Sequence, residues 1–92
     1  MSESDDQTLR DLREKIADAD RDLVDGLNRR LELVRQLWRH KAATGLPLLA
    51  PDREEQMTTY LVESNKGPLS EEGLRAFYAE LLALTKRELG GA

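Results

Sequence analysis

Between Thr8 and Ala43, apolar residues recur at Leu9, Leu12, Ile16, Ala19, Leu23, Leu27, Val34, Leu37 and Trp38. The steps are mostly three or four residues, the spacing of one face of an α-helix. The stretch holds no proline and one glycine, Gly26, so a single helix of about 36 residues is predicted. Its stop is Thr44-Gly45-Leu46-Pro47. Pro51 suits the first turn of a second helix, where Asp52, Glu54 and Glu55 complement the N-terminal dipole. That helix has Met57, Tyr60 and Leu61 as its apolar face, runs to about Ser64 and stops at Asn65-Lys66-Gly67-Pro68. Ser70 is placed to cap a third helix, with Leu69 and Leu74 spaced for a hydrophobic staple. The third helix buries Leu74, Phe77, Tyr78, Leu81 and Leu84 and ends before Gly90-Gly91. No strand is predicted. The expected fold class is therefore all-α, with three helices in one domain over residues 1–92. Residues 1–7, acidic and polar, are expected to be disordered.

The length of the first helix has a consequence for assembly. About 36 residues at about 1.5 Å each make a rod of roughly 54 Å, whereas a compact domain of this size has a radius of gyration of about 12 Å. The rod would overhang its own domain, yet its apolar stripe runs along its whole length. A second copy of the chain is the simplest cover. An intertwined homodimer, with the two long helices packed together, is expected.

Composition narrows the function. The 92 residues allow one domain with a thin core, which also favours oligomerisation. There is no cysteine, which removes disulfides and thiol chemistry and agrees with a cytoplasmic location. One histidine, His40, cannot build a metal cluster, so no metal site is expected. A net charge of -4 argues against nucleic-acid binding. No apolar run approaches the roughly 20 residues of a membrane span, and the acidic start does not resemble a signal peptide. Although 35% of the residues are charged, the periodicity of the apolar ones marks a folded chain.

At about 100° per residue, the stripe of the first helix runs from Leu37 and Ala19, through Leu23 and Ile16, to Leu27 and Trp38. Most of the basic side chains fall outside it, among them Arg10, Lys15, Arg21, Arg29, Arg35 and Arg39. Arg30 and Lys41 fall inside it, and Arg13 lies on its edge. A cation on a buried face is costly unless it is paired. Two cations there point either to ion pairs with a partner helix, or to snorkelling, or to a buried anion site. Arg53 and Glu54 flank the apolar face of the second helix, and Thr85 and Glu88 fall in the inner arc of the third. A capped helix start explains the first pair, and backbone bonding explains the threonine, without any ligand. Together, however, Arg30, Lys41, Arg53, Glu54, Thr85 and Glu88, with Arg13 near, form a mostly cationic inward set. Such a set suits a small ligand with two carboxylates and a hydroxyl. No nucleophile–base pair and no phosphate-cradling glycine loop is present, so the chemistry it supports is binding and electrostatic stabilisation.

The chain resembles the all-helical (type II) chorismate mutases over nearly its whole length. The resemblance is carried by Leu12-Arg13-Glu14-Lys15-Ile16 with Asp20, by Asn28-Arg29-Arg30-Leu31-Glu32-Leu33 with Lys41, and by Pro51-Asp52-Arg53-Glu54-Glu55-Gln56-Met57. It implies a cytoplasmic enzyme that converts chorismate to prephenate in aromatic amino-acid biosynthesis without a cofactor. It also implies a homodimer in which Arg13 enters the other subunit's site. Arg30 would anchor a carboxylate, Lys41 a carboxylate and the ether oxygen, Arg53 the carboxylate region, and Glu54 the ring hydroxyl. Thr85 stands where the family often has serine.

Two departures stand out. The family often has aspartate where this chain has Ala50, and glutamine or glutamate where it has Leu89, so Glu88 is the candidate donor beside the ether oxygen. The departures keep other readings open. One is a mutase acting on 4-amino-4-deoxychorismate in specialised metabolism. Another is a weak mutase activated by a partner enzyme of the aromatic pathway. An isochorismate pyruvate-lyase is more distant. Outside enzymes, a non-catalytic helical dimerisation module has much the same appearance. The adjacent Leu48 and Leu49 read as a lid or as a docking surface.

Overall fold

The computed structural model describes residues 6–90. They form α1 (Gln7–Thr44), α2 (Pro51–Ser64) and α3 (Glu71–Gly90), with no strand among the described residues. The all-α expectation holds. The chain divides into two units, one ending at Val34 and one beginning at Arg35.

The first unit is the N-terminal part of α1. Asp6 caps the helix, its Oδ1 accepting from the Leu9 amide at 3.2 Å. Asp6 and Gln7, expected in a disordered leader, are thus the cap and first residue of the helix, because an aspartate there satisfies an otherwise orphaned amide. Residues 1–5, the rest of that expectation, lie outside the described residues. Local pairs such as Asp18 with Arg21 and Gln7 with Asp11 line the outer face. Leu12, Ile16 and Leu23 are 52%, 59% and 65% exposed. Toward the end of the unit Leu27, Arg30, Leu31 and Val34 become half-buried.

The second unit holds the last turns of α1, then α2 and α3. α1 ends as expected at Gly45, whose φ of 76° is open to glycine at little cost. The Leu46 amide reaches back to the Lys41 carbonyl at 2.8 Å and the Gly45 amide to that of Ala42 at 3.4 Å. These two bonds form a Schellman stop that turns the chain back. α2 begins with Pro51 at its first position and no side-chain cap from Ala50. Between α2 and α3 the loop is organised by Asn65, which accepts from the Gly67 amide and donates to the Leu69 carbonyl. Ser70 caps α3 through the Gly73 amide at 3.0 Å.

α2 packs on α3. The packed line of α2 is Met57, Thr58, Leu61 and Val62, all half-buried, while Tyr60 is exposed. On α3 the line is Leu74, Tyr78, Leu81, Leu82, Thr85 and Leu89, and Phe77 is 54% exposed. Tyr60 and Phe77 are corrections to the predicted faces. Periodicity finds an apolar arc, but the packing partner decides which part of that arc is covered first. Only Tyr78 and Thr85 are buried among the described residues.

Candidate functional site

α1 presents the cations. Arg13 is exposed and Arg30 is half-buried in the first unit. In the second unit Lys41 is half-buried, as is Trp38 three residues before it. Besides Arg30 and Lys41, the half-buried positions of α1 are Leu27, Leu31, Val34 and Trp38, with Gly26 and Leu9. The two cations inside the predicted stripe are the two charged side chains of α1 that lose solvent. His40 is exposed.

The Schellman turn determines what Lys41 meets. By reversing the chain at Gly45, it returns the Leu48 carbonyl to within 3.3 Å of the Lys41 ammonium. The ammonium is thereby held beside the α1–α2 connection and keeps two further N–H donors. Leu48 and Leu49 themselves point their apolar surface to solvent, 43% and 52% exposed.

α2 presents Arg53 and Glu54 in its first turn, where the glutamate also complements the helix dipole. Arg53 is exposed and Glu54 half-buried. Glu54 Oε1 lies 3.4 Å from Lys86 Nζ on α3. Lys86 was not singled out from the sequence. Its helical angle puts it beyond the apolar arc of α3, and only the register of α3 on α2 brings it to Glu54. Next to it, buried Thr85 donates its hydroxyl to the Leu81 carbonyl at 2.7 Å, the ordinary role of a threonine inside a helix. Glu88, expected to face inward, is exposed, and Leu89 takes the half-buried position one turn after Thr85.

The structure therefore brings Glu54 together with Lys86 and, through the chain, with Thr85. It keeps Arg53 and Glu88 in solvent and half-buries Arg30 and Lys41. The described residues hold no group of His, Asp or Glu side chains able to bind a metal ion. No described helix is long and apolar enough to cross a membrane. What the arrangement offers, among the described residues, is two half-buried cations on α1 and a carboxylate on α2 paired with Lys86.

Comparison with known proteins gives this geometry a context. The family model for chorismate mutase type II matches residues 12–88. The T-protein of Haemophilus influenzae is 39% identical over 82 residues, covering 84% of this chain. The chain spans only 22% of that relative's length. Two solved structures of a chorismate mutase from Thermus thermophilus, forms I and II, superpose with TM-scores of 0.83 and 0.82. Both are 30% identical and cover 86% of this chain, which in turn covers 99% and 90% of theirs.

Proposed function

We propose that the chain, which belongs to the chorismate mutase type II family, catalyses the rearrangement of chorismate to prephenate in aromatic amino-acid biosynthesis. The observation that carries the reading is the pair of half-buried cations, Arg30 and Lys41, on the apolar stripe of α1. A dicarboxylate substrate offers both cations charge-assisted hydrogen bonds.

The reaction is pericyclic: a C–O bond breaks while a C–C bond forms, and no acid, base or cofactor is required. The protein contributes in two ways. Arg13 and Arg30 hold the carboxylates, with Arg53 supporting them, so that the extended substrate is kept in its compact reactive conformer. Lys41 donates to the ether oxygen, where negative charge grows as the C–O bond stretches. Only contacts that strengthen in the transition state raise the rate, and Lys41 meets that condition. Glu54 accepts from the ring hydroxyl. Thr85 lines the site, and exposed Glu88 must swing inward to reach the ether oxygen.

The working form is a homodimer in which Arg13 of each chain completes the other chain's site. Support comes from the single chain, whose only buried residues among those described are Tyr78 and Thr85. Leu12, Ile16 and Leu23 add an exposed apolar row along α1. Within the first unit that row runs along one helix, a surface on which a second copy can lie.

The test is consumption of chorismate, followed by its ultraviolet absorbance, with prephenate identified as the product. Steady turnover by the purified chain is the expected result. A folded helical protein that leaves chorismate untouched would overturn the reading and leave a dimerisation module in its place.

A further inference from the structure

We propose that Lys86 determines substrate specificity by positioning Glu54 and offsetting its charge, so that the site accepts a ring hydroxyl and disfavours a ring ammonium. The proposal rests on the reading of Glu54 as the partner of the ring substituent. The pair links the first turn of α2 to the last turns of α3, Lys86 Nζ standing 3.4 Å from Glu54 Oε1. Their side chains are 43% and 31% exposed. An ion pair that open adds little to stability, so its consequence is local.

Several features hold the pair in place. Thr85, immediately before Lys86, is buried and bonded to the Leu81 carbonyl, which fixes that turn of α3. The Glu54 carbonyl accepts from the Thr58 hydroxyl at 2.9 Å, within the packed line of α2. The carboxylate then has one oxygen toward Lys86 and further lone pairs for a ligand.

Charge counting gives the specificity. A hydroxyl needs only a lone pair and is indifferent to a neutralised carboxylate. An ammonium needs net negative charge. Here Glu54 is balanced by Lys86 and has Arg53 as its chain neighbour, while the other carboxylates at the start of α2, Asp52 and Glu55, are exposed to solvent. A ring ammonium would enter as one more cation beside Lys86.

The experiment compares kcat/KM for chorismate and for 4-amino-4-deoxychorismate in the wild type, Lys86→Met, Lys86→Gln and Lys86→Arg. The wild type should prefer chorismate. Both neutral variants should move the ratio toward the amino analogue by about tenfold, as removal of one nearby like charge allows. Lys86→Arg should hold the wild-type ratio. In a Glu54→Gln background Lys86→Met should move the ratio by less than it does in the wild type, because the share that acts through Glu54 is gone. Wild-type turnover of chorismate with an unchanged ratio in both neutral variants would overturn the proposal alone. No turnover of either compound by the wild type would overturn the functional reading, and the role of Lys86 with it.

Discussion

Lys41→Met should lower kcat/KM for chorismate by on the order of a hundredfold to a thousandfold, the usual effect of removing one donor aimed at developing charge. Helix content and melting temperature should stay close to wild type. Lys41 is half-buried on the stripe of α1, so its methylene stem already covers apolar surface. Methionine keeps that stem and removes only the ammonium. The bond given up, to the Leu48 carbonyl at 3.3 Å, is exposed, and water can replace it. A cation on an apolar seam is a poor stabiliser, and its replacement by an apolar residue is often neutral or better. Steady-state kinetics and thermal denaturation on one preparation check both halves. Unchanged turnover would remove Lys41 from the chemistry. A collapsed melting transition would make it structural.

Leu23→Asp should dissociate and largely unfold the protein, with loss of activity. Leu23 is 65% exposed in the single chain. Were that exposure its working state, the change would shift stability by no more than about 0.5 kcal/mol, as for most surface substitutions. In a two-fold dimer with the α1 helices paired, the leucine is covered. Losing its burial then costs about 1.5–3 kcal/mol per site. Covering an unpaired carboxylate adds to this, and symmetry repeats the change in each chain. Such a sum is comparable to the whole stability of a small domain, about 5–15 kcal/mol. Sedimentation and circular dichroism distinguish the outcomes. A well-folded variant with wild-type mass would show that α1 uses another face.

Much of the architecture was legible because the local signals are strong and agree. Gly45, Pro51 and Ser70 act within one turn of themselves, and the structure uses each as a stop, a first residue and a cap. On α1 the structure half-buries Leu27, Val34 and Trp38 of the expected stripe and leaves Leu12, Ile16, Leu23 and Leu37 exposed. Arg30 and Lys41 broke the stripe visibly, and both lose solvent in the structure. What was not legible depends on how helices seat on one another. Phe77 and Tyr60 share the periodicity of their helices yet remain exposed, since the covered residues are Met57, Thr58 and Leu61 on α2 and Tyr78, Leu81 and Thr85 on α3. Glu88 and Leu89 exchange expected places because the packed line of α3 lies further round than its apolar arc suggested. Lys86 illustrates the same limit. It lies on a different helix from Glu54, and no periodicity within one helix encodes that pairing.

The central claim is that each site is completed by Arg13 from a second chain, and subunit mixing tests it most directly. Arg13→Ala and Lys41→Met homodimers should each be nearly inactive. Unfolded and refolded together, they should form heterodimers in which one site carries both defects and the other carries none. With random pairing, about a quarter of the wild-type activity should return. No recovery, with heterodimers verified by mass and the wild type active under the same conditions, would contradict an arginine contributed across the dimer.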